Sequence, residues 1–128
     1  METAAKIQSF EDLECWKIGR NIHRKVSEVV KRFPKDEKYG LTDQLKRSSR
    51  SLTNNIAEGY GRFHFQENIQ FCRISRGSAY EVLDQLLEAY DEKYIEQKEL
   101  DETRKLIDKF LKVLNGYINY LGRAKREF

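Results

Sequence analysis

Apolar and small residues recur every three or four positions between Tyr39 and Arg62. Wound at about 100° per residue, Leu41, Leu45, Ser48, Ser49, Leu52, Ile56 and Gly59 share one face, and Lys46, Arg47, Arg50 and Asn54 share the other. The seam is thin, because serine and glycine stand where a packed helix usually carries Leu or Ile. It predicts a helix over residues 41–60 that a neighbour approaches closely.

Three further stretches carry the same period. Leu13, Trp16, Gly19, Ile22, Val26, Val29, Val30 and Phe33 predict a first helix over about 11–33. Ser9, followed by Asp12, supplies its cap, and Pro34 stops it. Gly59 and Gly61 read as the end of the second helix, since glycine accepts backbone angles that other residues resist. A third helix is expected over 65–92, with Phe65, Ile69, Phe71, Cys72, Ala79, Val82, Leu83, Leu86, Leu87, Ala89 and Tyr90 covering nearly half of its circumference. That arc is wider than one core stripe, and the expected use of the excess is an oligomer interface. Gly77 in mid-helix costs about 1 kcal/mol relative to alanine, which close backbone approach or a partner would offset. Leu100, Ile107, Phe110, Leu111, Leu114, Tyr117, Ile118 and Leu121 predict a fourth helix over 98–122, with the basic tail after it frayed. Short connections favour antiparallel neighbours, so residues 1–128 are expected to form one all-α domain, an up-down-up-down four-helix bundle.

Composition agrees with that class. The 128 residues include a single proline, and 35% are charged, which suits a helical chain with one core. No stretch reaches the roughly 20 apolar residues that cross a bilayer, and METAAKIQSF lacks the apolar core of a signal peptide, so a cytoplasmic protein is expected. Cys15 and Cys72 lie far apart within helical pattern and read as buried, reduced thiols. The net charge is only +3, but it is distributed in blocks. Residues 46–76 hold six Lys or Arg against two acids, residues 77–103 two against nine, and residues 104–128 seven against two. Such blocks pair within or between subunits, or leave a basic surface opposite an acidic one.

Sites of chemistry are mostly excluded. GYG at residues 59–61 lacks the strand and the Gly-Lys-Ser/Thr of a phosphate loop. Di-iron bundles need Glu-x-x-His, but Arg20 precedes His23 and Gly61 precedes His64 by three residues. No nucleophile elbow, zinc-protease motif or cysteine pair occurs. Glu81, Asp84, Glu88 and Asp91 form an acidic ridge, read as solvated or salt-bridged before it is read as a cation site. Catalytic residues, metal and cofactors are therefore expected to be none, and an enzyme is not expected.

FEDLECWKIG, then FPKDEKYGLTDQLKRSSRSLTNNIAEGYGR, then FCRISRGSAYEVLDQL together closely resemble a family of small four-helix bundle proteins, those encoded in intervening sequences of bacterial 23S ribosomal RNA genes. The resemblance covers about residues 10–121 and rests on the ordered run YGLT, SL, NIAEG and GSxxE. It implies an antiparallel four-helix bundle assembled as a homopentameric ring. It also implies kinship with the accessory proteins of diversity-generating retroelements, which bind nucleic acid and a reverse transcriptase. The family's motif positions fall on Arg47, Ser51, Asn55, Glu58, Gly59, Gly77, Ser78 and Glu81. Asn55, Glu58, Ser78 and Glu81 flank the helix seams, where the favoured role is mutual satisfaction of polar groups, ahead of ligand contact.

Two functions follow from these readings. The first is a non-enzymatic RNA- or DNA-binding oligomer that uses Lys46, Arg47, Arg50, Arg62, Arg73 and Arg76 on phosphates. Apart from Tyr60, Phe63 and Phe65, few aromatic residues interleave with those cations, which favours backbone or shape recognition over base stacking. The second is a protein-interaction scaffold, or an accessory subunit, with no direct nucleic-acid role.

Overall fold

The computed structural model describes residues 7–126, with side chains through Ala124. Its four helices are α1 (Glu14–Val30), α2 (Leu41–Gly61), α3 (Phe65–Asp91) and α4 (Gln97–Arg126), with short 3-10 turns at Phe10–Asp12 and Lys35–Glu37. Each helix packs on the two beside it: α1 and α2, α2 and α3, α3 and α4, and α4 and α1. Among the described residues, the backbones of the diagonal pairs stay apart. The result is the four-helix bundle the sequence predicts, with its core along the central axis.

The buried residues of α2 are Leu41, Leu45, Ser48, Ser49, Leu52, Ile56 and Gly59, the predicted seam residue for residue. A Cβ built on Gly59 would lie 2.7 Å from Asn68 Oδ1, 3.0 Å from Phe71 Cβ and 3.1 Å from the Asn68 carbonyl oxygen. Further along the same contact, the buried Ser75 hydroxyl donates to the Leu52 carbonyl at 2.8 Å. Small residues thus let α3 ride on the backbone of α2. Gly19 plays the matching part between α1 and its neighbours, where a Cβ would meet a Phe110 ring carbon at 3.1 Å and Thr53 Cγ2 at 3.3 Å.

Several boundaries differ from the expectation. The capping box of Ser9 and Asp12 forms, but it caps the 3-10 turn. Leu13 is extended and buried, which breaks the predicted first helix and delays α1 to Glu14. The glycines do not make the left-handed turn after α2: Gly59 and Gly61 are both helical, and the positive φ belongs to Phe63, at 56°. Gly59 is occupied in packing, so the turn falls to the residues after it. α4 continues through Gly122 to Arg126 where a frayed tail was expected. Glu127 and Phe128 of that tail, like residues 1–6 of the N-terminus, lie outside the described residues.

The wide apolar arc of α3 is spent largely inside the chain, since α3 packs against both α2 and α4. Phe65, Leu83 and Leu87 are half-buried against the core. Ile74 and Tyr80 are left outside, 53% and 58% exposed. Between them stands Gly77, around which an added Cβ would meet nothing within 4 Å. Among the described residues, no neighbouring helix comes within 4 Å of that position.

At one end of the bundle both connections are tied together. Glu37 accepts from the Leu41 amide at 2.9 Å, capping α2, and from the Tyr94 hydroxyl at 2.8 Å, while the Phe33 and Tyr94 rings lie 5.2 Å apart. These bonds hold the Glu37 carboxyl below its ordinary range and push the Tyr94 hydroxyl up to about 12. Along the bundle, Lys25 bridges to Glu102 at 2.9 Å and Arg32 pairs with Glu99, fastening α1 to α4.

Candidate functional site

α2 presents its polar residues on two flanks, and each flank builds a different surface. On the α3 side, Gln44, Arg47, Ser48, Ser51, Glu81 and Gln85 line a shallow groove of about 230 Å³. Beside it runs a relay of hydrogen bonds within α2 and across to α3. Asn55 Nδ2 donates to the Ser51 carbonyl at 2.9 Å and to Ser51 Oγ at 2.7 Å, and Ser51 Oγ meets Ser78 Oγ at 2.7 Å. One turn away the Ser48 hydroxyl donates to Gln85 Oε1 at 2.6 Å. Among the described residues, no buried side-chain nitrogen or oxygen lacks a partner. Polar groups taken out of water are costly unless paired, and the relay pairs them at the closest helix approach.

On the α1 side, His23 Nδ1 and Ser49 Oγ are hydrogen-bonded at 2.8 Å. Partial burial first, and then the positive charge of Arg50, lower the His23 pKa, so the imidazole is neutral at physiological pH. Arg50 and Lys46 stand on successive turns of this flank, one helical repeat apart. Neither makes an ion pair among the described residues. Nearby on α1, the Arg20 guanidinium lies over the ring of the half-buried Trp16, 5.2 Å from its centre.

The six cations picked from the sequence do not converge on one patch. Lys46 and Arg50 share the α1 flank. Arg47 stands at the rim of the α3 groove and pairs with Asp43 at 3.1 Å. Arg62, at the end of the bundle, pairs with Glu58 at 2.9 Å and lies 5.1 Å from the centre of the Phe71 ring. Arg76 reaches α4, donating to Asn115 Oδ1 at 2.9 Å, and Arg73 is exposed on the outside of α3. Of the four motif residues, Asn55 and Ser78 belong to the relay, Glu58 holds Arg62, and Glu81 stands exposed on the groove opposite Arg47.

Four participants escaped the sequence reading. Ser48 and Ser49 were read as small seam residues, yet each anchors a bond to a neighbouring helix. Gln85 carried a signal, since it stands four residues after Glu81 and seven after Ser78 on the same flank of α3. His23 carried none beyond its place beside the buried stripe.

Cys15 and Cys72 are buried free thiols, pushed up to about 12 by burial. Such thiols are poor nucleophiles and metal ligands. Among the described residues, no group of three His, Cys, Asp or Glu side chains is placed to hold a metal ion, and no helix is long and apolar enough to cross a membrane.

Fold and site together define a class: a small four-helix bundle whose second and third helices meet along a seam of small, mutually bonded polar residues, with cations on the open faces. The chain belongs to the 23S rRNA-intervening sequence protein family, whose model matches residues 11–116. No curated protein matches it.

Proposed function

We propose that the chain is a non-enzymatic, oligomeric nucleic-acid-binding protein of the bacterial cytoplasm, gripping the phosphate backbone of structured RNA or DNA through α2. The observation that carries this reading is the pair Lys46 and Arg50, two neighbouring cations on an open flank with no carboxylate partner among the described residues. Arg47 joins them at low cost, because its exposed bridge to Asp43 is of the kind worth about 0–1 kcal/mol and a phosphate competes for it easily. Arg62, Arg73 and Arg76 stand apart from this flank and are expected to contribute less, Arg62 being held by Glu58 and Arg76 by Asn115. The family resemblance implies a homopentamer. Five copies of a modest basic flank on one ring multiply weak contacts through effective concentration.

The test is fluorescence anisotropy of labelled structured RNA and duplex DNA, titrated with salt, on protein whose mass has been fixed by light scattering. The logarithm of affinity is expected to fall linearly with log salt, with a slope reporting several phosphate contacts. Lys46→Glu with Arg50→Glu is expected to weaken binding at least about tenfold at an unchanged mass. Absence of binding by the unaltered protein at low salt overturns the proposal. The acidic ridge Glu81, Asp84, Glu88 and Asp91, exposed along α3, then becomes the leading surface, and a scaffold recruiting a protein such as a reverse transcriptase becomes the leading function.

A further inference from the structure

The end of the bundle opposite the Glu37–Tyr94 tie is built differently. There the α2–α3 turn, the start of α3, the last turns of α4 and Ile7 and Leu13 of the N-terminal segment line a pocket of about 370 Å³, at the lower end of the range for small-ligand cavities. Its walls are aromatic: Tyr60, Phe63 and Phe65 from the turn, Tyr117 and Tyr120 from α4. The Tyr117 and Tyr120 rings are nearly parallel, 14° between planes and 6.5 Å between centres. Asn68 lines the pocket as well, donating through Nδ2 to the Tyr117 hydroxyl at 3.1 Å, and among the described residues that hydroxyl donates to nothing in return.

Phe63 is the residue that needs explaining. It holds φ at 56°, a region that bulky side chains avoid, two residues after a glycine that stays helical. The residue is 87% exposed, and its ring lies 6.4 Å from that of Tyr60, tilted by 55°. The left-handed backbone itself ends α2, as the same geometry at Lys93, φ 67°, ends α3; what the fold of one chain does not explain is an aromatic ring left in water at that turn. Two cations stand beside lining residues: Arg62, paired with Glu58, in the turn itself, and Arg123, exposed three residues beyond Tyr120.

We propose that this pocket takes one unpaired nucleobase from a single-stranded segment of RNA or DNA, stacked on the exposed rings, with its flanking phosphates on Arg62 and Arg123. The inference rests on the nucleic-acid-binding reading above and adds base capture to it. Aromatic faces accept any base, so the site selects single strand over duplex and carries little sequence preference. Bases paired within a duplex cannot enter a pocket of this size. The sequence alone argued against stacking, because the aromatic residues near the cations are few along the chain. The fold gathers Tyr117 and Tyr120, more than fifty residues away in sequence, onto the same site.

The test separates base from phosphate. Adenosine, which carries no charge, is titrated into the intact oligomer and followed by proton NMR, and a fluorescein-labelled single-stranded 12-mer and a duplex are followed by anisotropy. The unaltered protein is expected to bind adenosine weakly. Phe63→Ala and, separately, Tyr120→Ser are each expected to lower single-strand affinity about tenfold while leaving duplex affinity and salt slope unchanged. The charge reversal at Lys46 and Arg50 is expected to weaken both oligonucleotides and to spare adenosine. No adenosine binding by the unaltered protein, or equal losses on single strand and duplex in the ring variants, overturns base capture and leaves backbone binding standing. Adenosine binding with no oligonucleotide binding overturns the function proposed above, and the single-strand assignment with it.

Discussion

Gly59 and Gly77 are both helical glycines inside motif positions, and their surroundings are opposite. At Gly59 a methyl group meets the Asn68 carbonyl oxygen at 3.1 Å, a backbone atom that cannot turn away, besides the Asn68 amide and Phe71. At Gly77 it meets nothing. Alanine is worth about 1 kcal/mol over glycine in a helix, and overpacking costs about 1–3 kcal/mol. Gly59→Ala is therefore expected to lower stability by up to about 2 kcal/mol, the overpacking outweighing the helix gain. Gly77→Ala is expected to raise the stability of the single chain by up to about 1 kcal/mol. Urea denaturation at low protein concentration reads both. A Gly77→Ala variant that is more stable when dilute yet assembles less well places a neighbouring chain against that glycine, and a variant that is less stable even when dilute contradicts the open space around it.

Elements were legible where one periodic face decided them and illegible where packing chose among local options. The seam of α2 could be read because Leu and Ile mark it and the serines between them fit only a close neighbour. The break at Leu13 could not, since a leucine beside a good cap looks like the start of a helix until its burial against the bundle is known. Glycine after α2 suggested the turn, but tertiary packing claimed Gly59 and passed the positive φ to Phe63. The candidate site follows the same division. Its cations and motif residues could be named from sequence, while the bonds between helices that sort them into two flanks needed the bundle itself. His23 shows what such a bond implies for the α1–α2 contact. Its pKa is lowered in the folded chain, by burial and then by Arg50, from an ordinary value of 6.5. The unfolded chain thus binds the proton more readily, so the stability that neutral His23 contributes is present above about pH 6.5 and is lost as pH falls through the folded value. Carboxylates with lowered values, such as Glu37, Glu99 and Glu102, titrate below their ordinary 4.5 and leave this window to the imidazole. The urea midpoint is expected to fall between about pH 7.5 and pH 5.5, and His23→Gln is expected to flatten that slope. An unaltered slope in the variant would show that the His23–Ser49 bond does not couple the two helices to pH.

At the scale of the whole molecule, the chain keeps its chemistry on different sides of the bundle. Basic residues without partners lie along α2, while the outer face of α3 carries Ile74, Gly77 and Tyr80 and then the acidic ridge that begins at Glu81. Only the apolar part of that face is out of place on an isolated bundle, because the core already has the rest of the apolar arc. An assembly that buries Ile74 and Tyr80 would bring the acidic ridge to a subunit boundary and leave α2 facing outward, where repeated basic flanks act together. Ile74→Glu combined with Tyr80→Lys keeps the net charge and changes only exposed positions. The expected outcome is unchanged helicity by circular dichroism, a light-scattering mass reduced to that of one chain, and an affinity for structured RNA lowered by about a hundredfold, since binding through several subunits commonly gains factors of that size. The charge reversal on α2 gives the complementary result, full mass with weakened binding. Assembly that survives the Ile74 and Tyr80 changes places the subunit contact on another face, and affinity that survives loss of assembly shows that one copy of α2 suffices for the nucleic acid.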